Sequence, residues 1–139
     1  MTSPEEIILL LVEDDDIDAE GVERAFSENK IANPIVRAND GLEALELLET
    51  ERFKKPYIIL LDLNMPRMGG VDFLKALRKH PKHRSAVVFV LTTSNADKDI
   101  IAAYDEHISG FFVKNEMGSN FFDIAKLFNG YWKMVKLPS

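Results

Sequence analysis

Five side chains suited to one kind of reaction stand at the ends of apolar runs in this 139-residue sequence. Glu13 and Asp14 follow residues 7–12, Asp62 follows residues 57–61, Thr92 follows residues 86–91, and Lys114 follows residues 108–113. A single aspartate in such a place is ordinarily just the wet start of a loop. Five chemically matched groups at the ends of four separate runs are harder to assign to chance. Three carboxylates gathered at one point repel each other, so a pKa rises or a cation neutralises them. The chain has no cysteine, and no histidine accompanies these acids. An all-oxygen donor set suits hard, octahedral Mg2+, with Mn2+ able to substitute. Lysine as a point charge and threonine as a hydrogen-bond donor suit a phosphoryl group. A carboxylate beside Mg2+ can act as a nucleophile and carry that group as an acyl phosphate. The chemistry implied is Mg2+-dependent phosphorylation of an aspartate.

The elements needed to bring these groups together are legible. Five apolar runs, at residues 7–12, 34–38, 57–61, 86–91 and 108–113, read as strands of a parallel sheet, most of them covered on both faces. Amphipathic stretches alternate with them. The first runs from Asp15 to Glu28; the second is capped by Asp40 and reaches about Arg52; the third, from Gly69 to His80, is stopped by Pro81. The fourth starts at Asn95 or Asp97, and the fifth is capped by Ser119 and runs from Asn120 to about Lys136. The order βαβαβαβαβα requires right-handed crossovers and an α/β fold, a (βα)5 doubly wound five-stranded parallel sheet. Ligands of such sheets bind outside the carboxyl ends of the strands, near the switch in strand order. Residues 1–139 read as one domain with a core of about 7–132 and a short C-terminal helical tail.

Composition agrees with this reading. A hydrophobic content of 46% supports a core, 29% charged residues suit a solvated surface, and 17 basic against 23 acidic residues give a net charge of −6. That charge makes non-specific DNA binding a poor expectation. No apolar run crosses a bilayer, and residues 1–6 lack the basic residues of a signal peptide. A cytoplasmic protein without a membrane partner is expected.

The segments Leu11-Val12-Glu13-Asp14-Asp15, Ala38-Asn39-Asp40-Gly41-Leu42-Glu43-Ala44-Leu45, Leu61-Asp62-Leu63-Asn64-Met65-Pro66-Arg67-Met68-Gly69-Gly70, Leu91-Thr92-Thr93-Ser94 and Val113-Lys114 occur in that order. Together they resemble the receiver domain of two-component response regulators, with its flavodoxin-like fold. The resemblance covers residues 7 to about 132. More narrowly, Asp62-Leu63-Asn64-Met65-Pro66 followed by Leu91-Thr92-Thr93-Ser94-Asn95-Ala96 is similar to the stand-alone regulators that partner bacterial phytochrome kinases.

The resemblance implies roles. Asp62 is the phospho-acceptor, attacking a phosphohistidine of a sensor histidine kinase, here a bacteriophytochrome. Glu13, Asp14, Asp62 and the Asn64 carbonyl hold Mg2+. Thr92 and Lys114 bind phosphoryl oxygens, while Thr93 and the Asn64 side chain flank the site and tune water access. Phe111 takes the place of the aromatic switch residue, without a hydroxyl. One departure stands out: the family's proline after the lysine is replaced by Asn115. A cis bond before a non-proline residue costs about 2.5–4 kcal/mol, so a trans and differently shaped loop at residues 115–118 is expected.

Other readings fare worse. A haloacid-type phosphatase needs a general acid two residues after its nucleophile, where this chain has the amide Asn64. A flavodoxin-like mononucleotide site wants a Gly/Ser/Thr-rich loop after the first strand, where Glu13-Asp14-Asp15-Asp16 repels phosphate. A phosphorylation-silent scaffold receiver is a third alternative, although every reactive position is filled. His80, His83 and His107 read as exposed loop and helix-end residues, and Arg78, Lys79, Lys82 and Arg84 as a solvated basic helix end.

Seven of the 13 aromatic residues lie between Phe111 and Trp132. On a helical wheel, Phe121, Ile124, Ala125, Phe128, Tyr131, Trp132 and Val135 share a face that Leu127 and Met134 widen. Part of this surplus can fill the core between the first and last helices. The remainder suggests a homodimer or partner face made by the fourth helix, fifth strand and fifth helix, with Tyr104, Phe121, Leu127, Phe128, Tyr131 and Trp132 on it. Gly130 weakens the last helix and marks a bend or an early end. With no room for an output domain, signalling is expected to pass through this surface.

Overall fold

Strands enriched in β-branched and leucine residues on both faces cannot stand alone in water, and here five of them pair in parallel. The computed structural model describes residues 6–117 and 121–138. Its elements are β1 (Ile8–Val12), α1 (Asp16–Glu28), β2 (Ile35–Ala38), α2 (Gly41–Leu48), β3 (Tyr57–Leu61), α3 (Gly70–Lys79), β4 (Val87–Thr92), α4 (Asp97–Asp105), β5 (Gly110–Val113) and α5 (Phe122–Met134), with short 3₁₀ turns at Glu51–Lys54 and Lys114–Glu116. The sheet order is β2-β1-β3-β4-β5. The order reverses between β1 and β3, so the crevice lies where Glu13, Asp14 and Asp62 emerge. Every sequence-derived strand and helix is present, and all but one have ends moved by no more than a residue or two. The second helix ends at Leu48 and gives way to the 3₁₀ turn rather than reaching Arg52. The Ser119 cap and the Asn120 start assigned to the last helix lie outside the described residues.

The side-chain period of two divides the central strands between two cores. Leu9, Leu11, Ile58, Leu60 and Phe89 face α1 and α5, while Ile8, Leu10, Val12, Ile59, Leu61 and Val90 face α2, α3 and α4. Helix starts are set by side chains at two places. Asp15 accepts from the amides of Ile17 and Asp18, and Asp40 accepts from that of Glu43.

Several expectations are corrected. Phe128 and Trp132 are core, not surface: both are buried against Phe26 of α1, with ring centroids 6.4 and 5.9 Å away. Tyr131 and Phe121 are half-buried in the same layer, Tyr131 meeting Phe89 edge-on at 5.3 Å and Phe121 lying against Gly21. Two helices and one sheet face must be sealed there, and aromatic rings supply the volume. Gly130 ends nothing, since α5 continues to Met134 with open space beside the glycine.

His83 is buried rather than exposed, its Nδ1 2.6 Å from the Tyr57 hydroxyl, and burial pulls its pKa below the ordinary value. His80, half-buried, pairs with Glu49. Arg78 is likewise no solvated cation. Its guanidinium donates to the carbonyls of Arg84, Ala86, Glu106 and His107 at 2.7–2.9 Å, tying the end of α3 to the end of α4 and the approach to β4.

The contrast between neighbours on α5 gives a test. Phe128→Ala should lower the unfolding free energy by about 3–5 kcal/mol in urea titrations. Leu127→Ala, at an exposed position, should change it by no more than about 0.5 kcal/mol. Equal effects would contradict this burial pattern.

Candidate functional site

Parallel pairing in register puts the ends of β1 and β3 side by side: Val12 pairs with Leu61, and the next residues are Glu13 and Asp62. The Asp62 amide donates to the Val12 carbonyl at 2.9 Å, and the Glu13 amide to the Ala38 carbonyl at 2.9 Å. The strand ladders thus fix both backbones before any side chain interacts. Gly70 allows α3 to start close under this edge. A Cβ there would sit 2.7 Å from both the Asp62 carbonyl oxygen and the Leu63 Cα.

Glu13 and Asp62 are buried and Asp14 is exposed, and one carboxylate oxygen from each lies within 4.8 Å of the others. Into this group comes Lys114, from the far edge of the sheet, with its side chain only 7% exposed. Its Nζ donates to Glu13 Oε1 at 2.6 Å and to Asp18 Oδ2 at 2.7 Å, and stands 3.5 Å from Asp62 Oδ2. No cis peptide occurs among the described residues, so the bond before Asn115 is trans, as the missing proline implied. The lysine reaches the pocket all the same. Gly118 of the following loop lies outside the described residues.

Burial raises Glu13, Lys114 partly offsets this, and the nearby Asp62 charge adds to it; the carboxyl is pushed up to about 8. Burial alone would lower Lys114, but its bonds to Asp18 and Glu13 outweigh that and hold it above its ordinary value. Lys114 therefore compensates the buried Glu13 carboxyl only in part. The donors are all oxygen and close enough to share one ion, so the residues fit a divalent metal.

Of the remaining predicted residues, Asn64 and Thr93 line the cleft. Asn64 is exposed, its amide donating to Asp62 Oδ1 at 3.2 Å and its side chain lying 3.5 Å from Thr92 Oγ1. Thr92 is fully buried at the end of β4, whereas Thr93 is exposed on the rim of the acidic cleft. Phe111 lies half-buried on β5, paired across from Val90. Tyr104, by contrast, points outward from α4 and is 47% exposed.

Sequence reasoning missed Asp18. It lies in the first turn of α1, but its partner is 96 residues away. It also missed Arg37, whose Nε donates to the Glu13 carbonyl at 3.0 Å and whose Nη1 pairs with Asp16 at 2.7 Å. Arg67, with a left-handed φ of 60°, forks onto Asp40 at 2.6 and 3.1 Å and holds that carboxyl below its usual range. This pins the loop after β3 to the start of α2.

A 2-1-3-4-5 sheet with an acidic cluster and a buried lysine at its switch point defines a receiver-type signalling domain. The family model for the response regulator receiver domain matches residues 9–126, and the chain belongs to that family. Rcp1 of Synechocystis sp. is 31% identical over 137 residues, covering 95% of this chain and 93% of that protein. The phosphorylated cyanobacterial phytochrome response regulator RcpA superposes with a TM-score of 0.83 at 31% identity, covering 96% of this chain and 99% of that one. The Mn2+-bound form of Rcp1 gives 0.80 at 30% identity over the same shares. The chain is therefore a response regulator receiver, a class of signalling domain. Among the described residues, no helix is long and apolar enough to cross a membrane.

Glu13 makes the pocket's charge balance measurable. Its folded pKa lies above the ordinary 4.5, so its contribution to stability is full below pH 4.5 and is lost as pH rises through about 8. In urea titrations with a chelator, wild-type protein should lose stability relative to Glu13→Gln across that window. A flat difference contradicts the buried, under-compensated carboxyl.

Proposed function

We propose that this receiver takes a phosphoryl group from a sensor histidine kinase onto Asp62, in a reaction that depends on Mg2+, with Mn2+ able to substitute. The observation that carries this reading is the convergence of Glu13, Asp14 and Asp62 with Lys114 at the switch point of the sheet. Glu13, Asp14, Asp62 and the Asn64 carbonyl are the ligands assigned to the metal. When bound, it supplies positive charge that lets these acids ionise together and neutralises the transferring oxygens.

The chain's own residues account for the rest. A carboxylate oxygen of Asp62 attacks the phosphorus, and the bond to the partner's histidine nitrogen breaks and leaves its electron pair there. Lys114, already 3.5 Å from Asp62, balances the charge that arrives. Thr92 offers a hydroxyl to a phosphoryl oxygen, and Thr93 and Asn64 stand where they limit the approach of water. Phe111, on the strand next to Thr92, follows the threonine by packing alone. Two packings of one face, with their populations shifted by the phosphoryl charge, constitute the output.

The similarity to the cyanobacterial phytochrome response regulator RcpA and to Rcp1 supports a phytochrome-type kinase as the partner. The output face is assigned to α4, β5 and α5 and acts as a homodimer contact. Ile101 and Tyr104 are exposed there at 60% and 47%, with Leu127 at 40%.

Incubation with phosphoramidate or acetyl phosphate and Mg2+ should add one phosphoryl mass to the intact protein. A chelator or Asp62→Asn should abolish the gain, and a gain untouched by either sinks the assignment. Light scattering should give a dimer mass that Ile101→Asp with Tyr104→Asp reduces to a monomer. A monomer with and without phosphoryl donor contradicts the dimer.

A further inference from the structure

The lysine of this pocket is held more closely by two other acids than by the acceptor. Two of its N–H donors are taken by Glu13 at 2.6 Å and Asp18 at 2.7 Å, while Asp62 stands farther away, at 3.5 Å. Glu13 belongs to the three-acid group suited to a cation; Asp18 does not. A bound divalent ion therefore draws on Glu13 and Asp62 and leaves Asp18 as the undiminished anion facing Lys114. Asp18 is also well placed to keep that hold. It lies in the first turn of α1, where its backbone amide donates to the Asp15 cap, and its side chain is largely shielded.

We infer that Asp18 is a positioning residue that competes with the phosphoryl group for Lys114, and so sets how firmly the pocket grips a phosphorylated Asp62. The inference rests on the phospho-acceptor reading above. Charge counting gives its direction. With Glu13, Asp14, Asp18 and Asp62 ionised, a divalent cation and Lys114 together leave the pocket with one net negative charge, and neutralising Asp18 removes it. An entering phosphoryl group then meets a lysine with fewer competing partners and no residual repulsion. The cation meets one carboxylate fewer nearby, so its own binding does not tighten. A gain for the anion without a gain for the cation separates this role from a structural one, which weakens both.

Beryllofluoride, an anion that adds to aspartate carboxylates as a phosphoryl mimic, serves as the probe at saturating Mg2+, with 19F NMR as the readout and Mg2+ affinity measured separately. Asp18→Asn should bind beryllofluoride at least threefold more tightly than wild type while binding Mg2+ no more tightly. Asp18→Ala, which removes the acceptor as well as the charge, should move the same way and guards against a folding defect in either variant. Asp16→Asn removes equal charge from the same cleft wall, but Asp16 pairs with Arg37 and not with Lys114; its effect should be less than half as large. Unchanged or weaker beryllofluoride binding by both Asp18 variants overturns the inference, as does an equal effect of Asp16→Asn. Failure of wild-type protein to bind the probe, or binding that survives Asp62→Asn, overturns the phospho-acceptor reading itself.

Discussion

A single ammonium kept nearly dry among carboxylates is the interaction on which the rest of the site depends. Two like charges about 4 Å apart repel by about 4 kcal/mol at an effective dielectric near 20, so Glu13 and Asp62 cannot share one edge as bare anions. Lys114 lowers that cost without removing it, and Glu13 remains pushed up to about 8. The proposed function gives this incomplete compensation a use. A pocket neutralised by its own side chains would have no use for a cation, and one without Lys114 would resist a phosphoryl group.

The fold supplies what this balance needs. Register between β1 and β3 sets the two buried acids side by side, and the order of strands carries Lys114 to them from the sheet's edge. Supports lie one layer out. Arg37 ties the Glu13 carbonyl to α1 through Asp16, Arg67 clamps the loop after β3 onto Asp40, and Gly70 lets α3 begin under Asp62. On the far face the rings of Phe26, Phe89, Phe128 and Trp132 fill the space beneath α1 and α5. That packing holds α1 in place, and with it Asp18.

What the sequence made legible follows from how far each signal travels along the chain. Continuous apolar runs ending in acids announce buried parallel strands and their carboxyl edge, so the sheet, the order of elements and Glu13, Asp14, Asp62, Thr92 and Lys114 were all readable. Asp40 as a cap was readable because a cap acts within three residues, whereas Asp15, read as the first residue of its helix, caps it instead. Contacts between distant segments were not readable. Nothing local marks Asp18 as the partner of Lys114, Arg78 as a clamp on four carbonyls, or His83 as the partner of Tyr57. The aromatic face of α5 was ambiguous for a related reason. A wheel gives the width of an apolar stripe but not the number of elements it must cover, and here α1 and the sheet take Phe128 and Trp132.

The claim at the centre of this account is that one carboxylate, Asp62, receives the phosphoryl group. Acyl phosphates are reduced by borohydride to the alcohol, which leaves homoserine where an aspartate stood. Protein treated with phosphoramidate and Mg2+, then reduced and digested, should yield homoserine at position 62 by tandem mass spectrometry, with Glu13, Asp14 and Asp18 unaltered. Reduction at another acid, or none at position 62 in protein that has gained the phosphoryl mass, would contradict it.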